Sequence, residues 1–152
     1  MIRPTILSLF FIVLASAALH NQNAFAVRRE RLPDKWRPIH YAIAIRLDAQ
    51  LSEISTAHAD IDIRTISRLQ SIDLDFGGLT VDDVQLNGSP TQFLHRDDVL
   101  KVNLPNFVAA GTNIKITVTY HGKPIDGLIL TKDKDGRPSA IGDNWPERVH
   151  QW

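Results

Sequence analysis

The sequence predicts an all-β fold, an antiparallel sandwich or curved open sheet. Three observations predict it. Apolar residues alternate with polar ones at period two in run after run, the pattern of half-buried strands. The runs are short and recur at about ten-residue spacing with turn residues between them, as in all-β domains. No stretch carries the 3.6-residue period of an amphipathic helix.

The elements follow in order. Residues 1–26 read as an export leader: a basic Arg3, an apolar run from Ile6 to Leu19, and small residues at Ala24 and Ala26 around Phe25. That run is shorter than the roughly 20 residues of a membrane span, so a cleaved signal peptide is favoured over an uncleaved anchor. The mature chain is then expected to begin at Val27, to be exported to the periplasm or the extracellular space, and to have no membrane span. Residues 27–37 are charged and proline-flanked, an extended leader into a β domain over 38–142. The first strand is Tyr41, Ile43, Ile45 and Leu47, alternating with Ala42, Ala44, Arg46 and Asp48. Ala57–Arg64 repeats the pattern with Ile61 and Ile63 toward a core and Asp60 and Asp62 toward water. Ile72, Leu74 and Phe76 alternate with Asp73 and Asp75, and Gly77-Gly78 is expected to end that strand through positive φ. Val81, Val84 and Leu86 lead into Asn87-Gly88, a strong hairpin signal because both turn residues need φ above zero. A return strand is expected near Thr91–Leu94. Leu100, Val102 and Leu104 alternate until Pro105, then Ile114, Ile116, Val118 and Tyr120. Ile129-Leu130 is a further short strand, and Lys132–Arg137 a charged turn.

Composition narrows the function. The 152 residues hold 17 basic and 17 acidic side chains. Arg3 leaves with the leader, which takes the basic count to 16 and the balance to one net negative charge. Such a chain has no electrostatic reason to seek nucleic acid. There is no cysteine, which excludes thiol catalysis and cysteine-ligated zinc. His40, His58, His95, His121 and His150 are scattered one per element, without the one-turn spacing of a zinc helix. The carboxylates mostly alternate with apolar residues and belong to wet strand faces. Asp133-Lys134-Asp135-Gly136 resembles the start of a calcium loop but lacks the later ligands, so a hydrated turn is expected. No serine sits in a nucleophile-elbow context. The residues alone describe an exported all-β domain with no catalytic residue and no metal site.

Three stretches in fixed order add a resemblance: Arg37-Pro38-Ile39-His40-Tyr41 opening the first strand; Leu74-Asp75-Phe76-Gly77-Gly78-Leu79-Thr80-Val81 with Val84-Gln85-Leu86-Asn87-Gly88; and Val118-Thr119-Tyr120-His121-Gly122 before a tryptophan-rich tail. Over about residues 36–152 the chain resembles the N-terminal domain of the aminopeptidase N family of zinc metallopeptidases. The resemblance implies a saddle-like all-β sheet packed on a thermolysin-like catalytic domain that would lie beyond Trp152. It implies that zinc and the peptide-hydrolysing residues belong to that domain of the parent enzyme, with none in this chain. It also implies that residues 143–152 begin the linker toward the cleft, where this family's N-terminal domain lends a polar side chain to the substrate's α-amine. The polar residues of this chain there are Asp143, Asn144 and Glu147. The alternative is a structural linker with Trp145 and Trp152 as packing residues. The rival for the whole chain is a stand-alone secreted β-sandwich that binds a partner.

Overall fold

The computed structural model describes residues 34–143, and these are all strand, turn and loop. Ten strands form: β1 (Trp36–Leu47), β2 (Ile54–Thr65), β3 (Leu69–Asp75), β4 (Thr80–Leu86), β5 (Ser89–Pro90), β6 (Phe93–Arg96), β7 (Val99–Val108), β8 (Asn113–Gly122), β9 (Leu128–Lys132) and β10 (Pro138–Gly142). They pair antiparallel in three sheets: a five-stranded sheet in the order β1-β2-β8-β4-β5, a three-stranded sheet β3-β7-β6, and a two-stranded ribbon β9-β10.

Alternation sets which face is buried. Ile61 and Ile63 on β2 lie opposite Ile116 and Ile114 on β8, and all four are buried. Val84 and Val118 continue that face across β4. On the three-stranded sheet Ile72 and Leu74 face inward beside Val102 and Leu100. The apolar faces of these two sheets join in one core cluster. Fully burying an isoleucine such as Ile116 is worth roughly 1.5–3 kcal/mol, so this cluster is the main stabilising term. The intervening residues His58, Lys115 and Asp73 are exposed.

Several local features differ from the sequence reading. β1 begins at Trp36, a buried residue paired with Thr65, so strand starts within the stretch read as leader. Pro38 is tolerated because β1 is an edge strand, where a missing N–H breaks no ladder, and the register shifts beside it. Asn87 and Gly88 do take φ of 50° and 82°, but the return strand is only Ser89–Pro90. The chain then changes sheets. Thr91 N donates to Val84 O at 2.9 Å and its Oγ1 donates to Asn103 O at 2.7 Å, which ties the two layers at the crossing. Gly77 and Gly78 do not adopt positive φ. A Cβ at Gly78 would meet Ile125 Cδ1 at 2.5 Å, the tip of an exposed side chain that is free to turn aside. Gly122, after Tyr120, does need its glycine, with φ of 126° against the Leu79 side chain.

Candidate functional site

The segment that sequence reasoning singles out is reached through the ribbon. β9 and β10 are joined by the turn Asp133–Arg137, and its chemistry is self-contained. Asp133 Oδ1 accepts from the Asp135 and Arg137 amides, each at 2.9 Å, and Oδ2 accepts from Arg137 Nε at 2.9 Å. These donors hold the Asp133 carboxyl below its ordinary range, the Arg137 amide first. Gly136 supplies the φ of 79° the turn requires. The carboxylate is thus engaged by its own turn.

Within the ribbon Ile129 lies directly opposite Ile141. The pair shares one face, and both side chains stay open, 41% and 53% exposed. The other face carries Leu128 and Leu130, and Leu128 packs on the core cluster. Asp143 follows the end of β10, and its amide donates to Gly127 O at 2.6 Å. Gly127 has φ of 77°, and its own amide donates to Asp126 Oδ1 at 2.8 Å. Asp143 is therefore held at the end of the ribbon that carries the exposed isoleucine pair. Asn144 and Glu147 lie outside the described residues, as do Trp145, His150 and Trp152. Sequence reasoning missed β10 and the Ile129–Ile141 pair. The available signal was the Asp-Gly turn flanked by Ile129-Leu130 and Ala140-Ile141.

The described histidines are placed apart. His121 Nδ1 lies 2.8 and 2.9 Å from the two carboxylate oxygens of Asp82. His58 Nδ1 bonds Thr119 Oγ1 at 3.0 Å, and His95 Nε2 lies 3.2 Å from Phe76 O. Among the described residues no group of three or more histidines or carboxylates comes together to hold a metal. The described histidines therefore do not form a zinc ligand set. On the wet face of the five-stranded sheet Asp60 accepts from Thr117 Oγ1 at 2.7 Å and from Lys115 Nζ at 3.3 Å, which holds its carboxyl low, Thr117 first. Burial raises the phenol of Tyr120, packed edge-on against Phe76 at 5.1 Å. Two shallow depressions, one beside Thr91 and Lys101 and one beside Ile39, Asp62 and Lys115, are open to solvent. Among the described residues no helix is long and apolar enough to cross a membrane.

The fold is shared with parts of larger enzymes. An M1 zinc metallopeptidase from Deinococcus radiodurans matches 73% of this chain at a TM-score of 0.56 and 19% identity. A mutant M1 zinc metallopeptidase from the same organism, bound to a Tyr-Ser-Ala substrate, matches 60% at 0.55 and 20% identity. Leukotriene A4 hydrolase from Saccharomyces cerevisiae matches 77% at 0.64 and 14% identity. The matches cover only 25%, 21% and 20% of those chains, so this chain corresponds to about a quarter of them or less. No family model and no curated protein matches the sequence.

Proposed function

We propose that this chain is the non-catalytic N-terminal β domain of an exported zinc aminopeptidase. In this reading the ribbon β9–β10 docks on a downstream thermolysin-like catalytic domain. Asp143, with Asn144 and Glu147, then stands at the edge of the cleft that takes the peptide's α-ammonium. The observation that carries the reading is the fold shared with M1 zinc metallopeptidases over a fifth to a quarter of their length. The ribbon supports it independently. A cross-strand isoleucine pair left open beside Asp143 suits a surface covered by another domain, since apolar patches on a free surface favour association. The carboxylates suit an ammonium through charge-assisted hydrogen bonds. Zinc, the activated water and peptide-bond cleavage belong to the catalytic domain, and residues 1–26 direct export.

The test is the coding sequence downstream of Trp152 and its product. An in-frame Gly-x-Met-Glu-Asn followed by His-Glu-x-x-His is expected, with a product that hydrolyses aminoacyl-anilides and holds zinc. In that product Asp143→Ala is expected to raise KM with little change in kcat. A stop codon after Trp152 at the native locus would overturn the assignment and favour a stand-alone binding module. N-terminal sequencing of exported material should read from Val27.

A further inference from the structure

The open edge of the five-stranded sheet carries an inference that is independent of the ribbon and of any catalytic domain. β1 is the outermost strand. Its ladder to β2 runs without a register shift from His40 to Arg46, seven residues or roughly 23 Å of strand. Among the described residues nothing pairs with its outer side. Proteins normally blunt such an edge with lysine, proline or a bulge. Here Pro38 and the two register shifts lie at the ends, and between them His40 and Arg46 bracket Tyr41, Ala42, Ile43, Ala44 and Ile45.

The inner face of the same strand is also open. Tyr41 and Ile43 pair with Ile61 and Ala59. These partners are buried at 7% and 8% exposure, while Tyr41 and Ile43 are each 48% exposed. The three-stranded layer covers β2 but leaves β1 as an apolar ledge. Backbone donors and acceptors and an apolar ledge therefore coincide on one strand, the combination used in recognition by strand addition.

Charge selects the occupant. β1 carries Arg37, His40 and Arg46 and no Asp or Glu. Arg37 and Arg46 are exposed and form no ion pair among the described residues. Pairing with a second copy of β1 would gather four guanidinium groups along one seam with no carboxylate on either strand, and like charges opposed across strands are destabilising. We propose that the β1 edge binds an extended peptide strand with β-branched residues at its centre and an acidic residue at each end, facing Arg37 and Arg46. Its inward side chains would lie beside Tyr41 and Ile43, where aromatic–β-branched cross-strand pairs are favourable.

The test uses the full chain and a labelled peptide of about ten residues, long enough to span the strand, alternating valine and threonine with glutamate at both ends. Saturable binding is expected by fluorescence anisotropy, weakening as salt rises. A peptide with lysine at both ends should bind about ten-fold more weakly, the worth of two cross-strand charge pairs. The double variant Arg37→Glu/Arg46→Glu should reverse that preference. Ile43→Lys, at a half-exposed position, should abolish binding while leaving circular dichroism and the melting temperature unchanged. Absence of saturable binding, equal binding of the two peptides, or preference unchanged in the double variant would each overturn the proposal. So would a concentration-dependent dimer that Ile43→Lys dissolves, because it would assign the edge to a second copy.

Discussion

Two side chains show how single residues hold this fold. Thr65 is the buried polar residue of the core, 2% exposed. Its Oγ1 donates to Ala109 O at 2.7 Å and accepts from Thr112 N at 2.9 Å, and so clamps the β7–β8 connection onto the end of β2. Valine fills the same volume but offers neither bond. Thr65→Val should therefore cost about 1–3 kcal/mol, the penalty for leaving buried partners unsatisfied, while Thr65→Ser should keep most of that stability. Urea denaturation of the three proteins checks this, and equal losses in both variants would assign the effect to the methyl group. Asp48 works at the surface. Its carboxylate accepts from Ser52 Oγ and Ser52 N, each at 2.6 Å, and from Glu53 N at 3.1 Å. Its pKa is lowered, chiefly by the Ser52 side chain, and those of Asp60 and Asp133 are lowered too. A folded pKa below the unfolded one means stability is present above the unfolded value and lost as pH falls through the folded value. Stability should be level near neutrality and fall below about pH 4, the ordinary aspartate range. Asp48→Asn should flatten that fall, as thermal melts across pH 2–7 would show.

At the scale of elements the turns decide where strands end. The β4–β5 turn places Asn87 and Gly88 at φ of 50° and 82°, the left-handed pair that suits a two-residue hairpin. Gly88→Ala should cost about 1 kcal/mol, the price of a Cβ in that region. The β6–β7 turn has the same geometry with poorer residues, Asp97 and Asp98 at φ of 53° and 60°. Replacing them by Asn and Gly should stabilise the protein by about 1 kcal/mol, read as a higher denaturant midpoint. A fall would show that the aspartates make compensating contacts. Local chemistry of this kind is what the sequence makes legible: the buried faces of β2, β7 and β8, the Asn87-Gly88 hairpin and the turn at Asp133. What it hides is set by long-range pairing. Ile61 meets Ile116 across β2 and β8, and nothing local to either says so. The change of sheet at Thr91 depends on Asn103. Trp36 looks like leader because its burial depends on β2, and β10 is weakly patterned because Ala140 and Ile141 stay exposed. At the candidate site, Asp143 could be named from resemblance, but its place at the end of the ribbon rests on its bond to Gly127, which the sequence does not reveal.

For the described domain as a whole, the distribution of core residues predicts unequal stability. The five- and three-stranded sheets share one buried cluster, so neither can lose its packing without exposing the other. They should unfold together, with far-ultraviolet circular dichroism and Trp fluorescence giving coincident transitions. The ribbon is joined differently. Leu128 packs against the cluster, but β9 and β10 contribute no fully buried side chain, and their five-residue strands pair only with each other. A two-stranded ribbon is marginal without a packed face, and elements with few buried contacts open locally at low free energy. Amides paired between Ile129 and Ile141 should therefore exchange hydrogen through local opening, insensitive to mild denaturant. Amides of Ile116 and Val118, central in β8, should exchange only through global unfolding. If the ribbon exchanged as slowly as β8 in the isolated chain, its exposed isoleucines would have to be covered already, and the docking role proposed for it would lose its physical basis. If it exchanged fast alone and slowly in the larger product, the difference would measure how far docking stabilises it.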